Sequence, residues 1–255
     1  MTKRLKRAIV IGASSGIGRA VAVELARDGY TVGVAARRIE MLDDIRKDFP
    51  AISCVRYMDI TNIEESTRIL GEMIDELEGM DLIVISSGVD CVNPGLEPNM
   101  LRWAVDTNVT GFAALANMSY RYFVTRGEGH ICGISSVAAL RGSGTFPAYN
   151  ATKAFVSNYM EGLMIRSNAS GFRILVTDIR PGFVETPMTK GQPGMFWVSP
   201  PDKVARQILT AIRRGRRVAY VPSRWDFLAR IIHGMPYGLY AALTKNEGGK
   251  ETWDK

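Results

Sequence analysis

The sequence predicts an α/β fold, a three-layer, doubly wound architecture around a seven-stranded parallel sheet. Apolar runs of strand length alternate with helical patterns along most of the chain. The runs are almost continuously apolar, as in Asp81-Leu-Ile-Val-Ile85, which suits strands covered on both faces. The first run, Arg7-Ala-Ile-Val-Ile-Gly12, leads straight into a glycine-rich turn and then a helix.

Strands are expected at about 8–12, 31–36, 52–57, 80–86, 130–135, 173–179 and 217–221. The first helix reads from Arg19 to Asp28. Thr61-x-x-Glu64 has the form of a capping box, in which two side chains satisfy each other's open backbone donors at a helix start. Pro147 reads as a turn, with a long helix from Ala148 through Tyr149 to Ser167. Ser199-Pro200-Pro201-Asp202 places proline just inside another helix start, and Gly215 closes that helix. No internal repeat, low-complexity tract or long linker divides the chain. Residues 1–222 are expected to form the α/β unit and 223–255 an apolar extension. Within the extension, Trp225, Leu228, Ile231, Ile232 and Met235 recur at helical spacing before Gly234 and Pro236 break the run. Three uses of it stay open: capping the chain's own pocket, sealing a subunit interface, or lying on a membrane surface with Arg224, Arg230 and Lys245 at the headgroups. The Asn246–Lys250 segment is expected to fray.

Composition narrows the class. At 255 residues and 46% hydrophobic content, the chain can bury a large core as one globular unit. No uncharged apolar stretch reaches the roughly 18 residues that a spanning helix needs. Lys3-Arg-Leu-Lys-Arg7 before an apolar run resembles a leader, but the run is short and enters the glycine turn, so it reads as the first strand. Cys54, Cys91 and Cys132 are odd in number and form no Cys-x-x-Cys pair, so no disulfide framework or zinc site is expected. A reducing cytoplasm is the default location. Net charge is +6, with clusters at Lys3–Arg7 and Arg213-Arg-Gly-Arg-Arg217. No aromatic residues interleave with them, so a solvated helix end is the expectation rather than nucleic-acid binding. His130 and His233 have no carboxylate or metal-ligand arrangement around them in sequence and read as structural or solvated.

Two stretches carry chemistry. Tyr149 and Lys153 stand four apart and share one helix face. A free tyrosine, with a pKa of about 10, is a poor acid or base at neutral pH, but a nearby ammonium favours its phenolate. The spacing therefore suggests a phenol tuned to exchange a proton with a substrate oxygen. Ser136, 13 residues upstream at a strand end, is placed to hold that oxygen, ahead of the competing hydroxyls Ser135 and Ser143. The second stretch is Gly12-Ala-Ser14-Ser15-Gly16-Ile17-Gly18. Its glycines allow a tight turn and close approach to a pyrophosphate, which meets the open N–H groups of the following helix.

Together these motifs resemble the short-chain dehydrogenase/reductase family, in its forms of about 250 residues. The matching pieces are Gly12–Gly18, Asp59-Ile60, Asn108 in Asn-Val-Thr-Gly111, Ser136, Tyr149 with Lys153, and Pro181-Gly182 running to Thr186. They occur in family order over about residues 7–221. The resemblance implies a Rossmann fold, with 1–222 as dinucleotide-binding and catalytic domain. It also implies hydride transfer between nicotinamide and a carbonyl or alcohol, on a small and apolar substrate. Catalytic roles fall to Ser136, Tyr149, Lys153 and Asn108, the last as a residue that bends a helix and holds a water. Cofactor contacts fall to Gly12, Ser14, Ser15, Gly16, Ile17, Gly18, Asp59, Ile60, Ser87, Gly88, Tyr149, Lys153, Pro181, Gly182, Val184 and Thr186. Arg37 stands at the end of the second strand where an acid would grip ribose hydroxyls, and with Arg38 it favours NADP(H) over NAD. Ile85-Ser86-Ser87-Gly88 departs from the family's usual Asn-Asn-Ala-Gly, since a serine lacks the two-ended amide. A homodimer or homotetramer is expected. The alternatives are an NAD-linked alcohol dehydrogenase and a non-catalytic dinucleotide sensor or scaffold. The loop from Gly182 to Val198 is expected to shape the pocket, its Met188, Met195, Phe196 and Trp197 either meeting an apolar ligand or anchoring the loop as core.

Overall fold

The structure, a computed structural model, describes residues 6–91, 93, 95–191 and 194–244. Asn246–Lys250, Lys245 and Lys3–Leu5 lie outside the described residues. Seven strands form one parallel sheet: β1 (Lys6–Ile11), β2 (Tyr30–Ala36), β3 (Ile52–Tyr57), β4 (Leu82–Ile85), β5 (Glu128–Ile134), β6 (Arg173–Pro181) and β7 (Val218–Val221). Their spatial order is β3-β2-β1-β4-β5-β6-β7. The expected three-layer α/β fold is the one observed.

Strand periodicity explains why both faces are covered. Along β1, Ala8 and Val10 point to one side while Ile9 and Ile11 point to the other. The first side packs on α1 (Gly16–Arg27), α2 (Ile39–Asp48) and α7 (Pro201–Arg213). The second packs on α3 (Ile63–Glu76), α5 (Phe112–Arg126) and α6 (Pro147–Ser170). Each fully buried aliphatic side chain contributes roughly 1.5–3 kcal/mol, so a strand lined on both sides is held twice over. The chain leaves the sheet centre leftward from β1 and rightward from β4. Their adjacent C-terminal ends therefore open into a crevice, the place where open α/β sheets bind ligands.

Several boundaries differ from expectation for identifiable reasons. The cap of α3 is Asn62, whose side chain accepts from Glu65 N at 3.2 Å. Thr61 does not form the expected box with Glu64: its N and Oγ1 both donate to Asp59 Oδ1, at 3.0 and 2.9 Å. Helix α6 begins at Pro147 itself, because the first helical position needs no N–H. Between α4 (Pro98–Val105) and α5, Asp106–Gly111 forms a π-helical turn, and Asn108 lies in it.

The extension folds as α8 (Arg224–Gly234) and α9 (Tyr237–Leu243). The expected apolar stripe is only partly buried: Trp225 and Ala229 go in, while Ile231 is 45% and Phe227 71% exposed. What docks α8 is Trp225, whose ring meets Phe183, Phe196 and Trp197 at centroid distances of 5.6, 5.2 and 5.7 Å. Further along, Arg141 donates to Met235 O at 2.8 Å, and Tyr240 Oη donates to Gly142 O at 2.7 Å. Both contacts fall on the loop that follows Ser136. Among the described residues, no helix is long and apolar enough to cross a membrane.

Candidate active site

A groove of about 600 Å³ runs along the strand ends. Its floor is the turn between β1 and α1. Gly12 has φ +86°, and a Cβ there would stand 2.6 Å from Ser87 N; one on Gly18 would overlap the Gly12 carbonyl oxygen. Both approaches exclude any side chain. Ser15 stands at the N-cap of α1 but makes no capping bond, and the first turn carries no acid. The helix thus presents open N–H groups and positive dipole to the groove. Ser14 and Ser15 instead accept from Arg38 Nη2, at 2.9 and 2.7 Å. Arg37, the arginine singled out from sequence, lines the groove, but Arg38 is the one that bridges to the glycine turn.

Every residue expected to touch a cofactor lines this one groove: Gly12, Ser14–Gly18, Arg37, Arg38, Asp59, Ile60, Ser87, Gly88, Tyr149, Lys153, Pro181, Gly182, Val184 and Thr186. Asn108 is placed behind it. Its Oδ1 accepts from Val89 N at 2.8 Å, and its Nδ2 donates to Val89 O and Thr152 Oγ1 at 2.9 and 3.0 Å. Thr152 Oγ1 in turn donates to Tyr149 O at 2.8 Å. One buried amide therefore ties the loop after β4 to the first turns of α6.

Ser136 caps a short 3₁₀ turn, Val137–Leu140, accepting from Ala138 N at 3.0 Å. Its hydroxyl and that of Tyr149 line the same part of the groove, and Ser136 acts to lower the Tyr149 pKa. Lys153 is buried, donates to Ile134 O at 3.1 Å and stands 5.8 Å from the Tyr149 ring centroid. Burial pushes the Tyr149 phenol up to about 12, with the Ser136 hydrogen bond opposing and Asp90 adding to the rise. Burial likewise pulls the Lys153 amine down to about 8, against Asp178 and then Asp90. The expectation that Lys153 acidifies the phenol is not met within the polypeptide. Desolvation disfavours both charged forms, and the amine donates to the Ile134 carbonyl.

Sequence reading missed Thr107, a residue of the groove lining whose buried hydroxyl has no hydrogen-bond partner. The only signal was its position beside Asn108, and the π turn that aims it is invisible to propensity. Thr189 was also missed; it accepts from Thr186 N at 3.1 Å and donates to Val184 O at 2.6 Å, bracing the loop after β6. His130 is buried and bonded to Thr177, while His233 is exposed. All three cysteines are buried and free. Among the described residues no cluster of three His, Cys, Asp or Glu could hold a metal.

Comparison with known proteins identifies the family and the fold. The family model for short chain dehydrogenase matches residues 6–194. An uncharacterized oxidoreductase of Myxococcus xanthus is 37% identical over 189 residues, covering 72% of this chain and 74% of that protein. A short-chain dehydrogenase from Streptomyces avermitilis superposes with a TM-score of 0.79 at 25% identity, over 96% of this chain and 97% of its own. A second solved structure, a short-chain dehydrogenase from Sphingobium yanoikuyae in complex with NADPH, has a TM-score of 0.76 at 24% identity, over 98% and 99%.

Proposed function

The chain belongs to the short-chain dehydrogenase family and is an oxidoreductase, and from that premise we propose that it is an NADP(H)-dependent enzyme interconverting a carbonyl and an alcohol on an apolar substrate. The observation that carries the reading is the Ser136–Tyr149 hydroxyl pair beside buried Lys153, at one end of a groove whose other end holds Arg38.

The groove's donor set fits the dinucleotide. The open N-terminus of α1 and the glycine turn suit a pyrophosphate. Arg38, with Arg37, Ser14 and Ser15, suits a 2′-phosphate, because guanidinium is a charged fork matched to phosphate oxygens. Asp59 and Ile60 would border the adenine, Ser87, Gly88 and the orphan Thr107 hydroxyl the adenosine, and Pro181, Gly182, Val184 and Thr186 the nicotinamide. Bound there, the dinucleotide gives or takes the hydride.

The chain's own residues handle the oxygen. Ser136 donates to the substrate carbonyl oxygen, and Tyr149 passes it a proton. Burial raises the phenol's pKa and makes it a weaker acid, so its proton moves only as negative charge develops on the substrate oxygen. Asn108 positions rather than reacts, since both ends of its amide are taken by Val89 and Thr152. Met188 on the groove wall, and the Phe183, Phe196, Trp197 and Trp225 cluster beside it, suit an apolar substrate. In this reading α8 and α9 wall the substrate end through Arg141 and Tyr240.

Two measurements test this. Tyr149→Phe is expected to abolish NADPH oxidation across a panel of ketones and aldehydes while NADPH still binds; retained turnover overturns the catalytic reading. Arg38→Asp is expected to reduce preference for NADPH over NADH by about 10- to 100-fold, the value of one or two lost charge-assisted hydrogen bonds. An unchanged ratio overturns the cofactor assignment.

A further inference from the structure

Asp178 on β6 is fully buried. A carboxylate is held away from water only when donors and countercharge compensate it. Ser135 Oγ donates to its Oδ1, and Ser157 Oγ and Arg180 Nε donate to its Oδ2 at 2.6 and 2.7 Å. Arg180 is itself tied to Tyr220 Oη at 2.9 Å. Two of these donors adjoin the reacting groups. Ser135 immediately precedes Ser136, and Ser157 lies four residues beyond Lys153, on the same face of α6. Lys153 reaches the same strand end through Ile134 O. Asp178 thus stands where the ends of β5 and β6 meet the helix that carries Tyr149.

We propose that Asp178 is a positioning residue of this site: it pins the strand end bearing Ser136 and the helix bearing Lys153 to one carboxylate, and its charge keeps Lys153 an ammonium inside the protein. The proposal rests on the functional reading above. The groups around it are few. Cys132 sits on β5 across the sheet from it, and the Cys132 thiol is raised by burial and then by the charge of Asp178. Lys153 and Ser157 face it from α6, Arg180 from β6, and Tyr220 stands behind Arg180 on β7. Asp90 acts on Lys153 and Tyr149 from the loop after β4 and leaves Asp178 the larger of the two charges supporting the ammonium. A charged Lys153 is what lets the proton on Tyr149 be given up as the hydride arrives, because the ammonium stabilises the phenolate left behind.

The test is the NMR titration of Lys153 by its ¹³Cε resonance in the full chain, assigned by its loss in Lys153→Met. Asp178→Asn is expected to move the midpoint downward by about one pH unit or more. It should also lower kcat with KM for NADPH unchanged. If Asp178 only held the structure together, its loss would admit water and move the midpoint upward, toward about 10.4. An upward or absent shift overturns the proposal. Because Asp178→Asn strands Arg180, the same comparison is made between Arg180→Gln and Asp178→Asn/Arg180→Gln, with the same downward shift expected. If neither asparagine variant folds, Asp178 is a fold-holding group and the proposal falls. The titration needs no turnover, so it is read even where Tyr149→Phe retains activity and the functional reading fails.

Discussion

Lys153 is a cation enclosed by protein, and its burial has a thermodynamic consequence that can be measured apart from catalysis. Its folded pKa of about 8 lies below the ordinary 10.5. The folded state therefore binds the proton more weakly than the unfolded chain, and the destabilisation is complete below pH 8, fades between 8 and 10.5, and is gone above. Lys153→Met, of similar shape, is expected to raise stability at pH 7 by up to about 3 kcal/mol while abolishing turnover. Urea unfolding at pH 7 and at pH 11 checks it, since the gain should vanish at the higher value. The identity of this residue and of Tyr149 was legible, because spacing of four on a helix is a sequence property. Their ionisation was not, because it depends on what else the fold packs around them. Arg38 makes the same point: Arg37 and Arg38 are neighbours in sequence, and only the turn into α2 decides which one reaches Ser14 and Ser15.

At the scale of elements, the β1–α1 turn has little freedom. Gly18→Ala would drive a methyl into the Gly12 carbonyl, which is backbone and cannot step aside. The turn must open, and about 2 kcal/mol or more of stability is expected to go with it, together with most of the affinity for NADPH. Calorimetry and fluorescence titration of the bound dinucleotide check both. The glycine pattern made this turn readable from sequence. Other elements were read less well where local chemistry competes with a nearby alternative. Thr61 and Asn62 can both cap a helix, and the carboxylate of Asp59 decides the contest by binding Thr61. On α8, hydrophobic spacing pointed to a stripe through Ile231, but the aromatic cluster around Trp225 sets the rotation of the helix and leaves Ile231 half exposed.

The whole molecule carries a pH response set by burial between β5 and β6. Thr177 Oγ1 donates to Arg216 O at 2.6 Å, so it accepts from a protonated His130 Nε2, 2.8 Å away. Burial lowers its pKa from 6.5 to about 4. The unfolded chain takes up this proton first as pH falls, so the histidine's contribution to stability is full above about pH 6.5 and is lost progressively down to pH 4. That loss amounts to about 3 kcal/mol. In His130→Gln this portion of the acid slope should be missing, and urea midpoints at pH 7, 5.5 and 4.5 for both chains would reveal it. The +6 balance of the chain adds to acid sensitivity through self-repulsion in both chains alike, so the difference between them isolates His130.

By itself the sequence determined the alternation of strands and helices, the parallel sheet and the glycine turn, and it singled out Ser136, Tyr149 and Lys153 as candidates. Each of these is written in local periodicity or spacing, which a chain carries before it folds. Tertiary structure alone decided which arginine meets the glycine turn, that Asn108 clamps Val89 and Thr152, that α8 and α9 lean on the loop after Ser136, and that Asp178 is buried against Ser135 and Ser157. Those features join residues 19 to 98 positions apart, and they exist only once the sheet order has brought distant segments together and excluded water from between them.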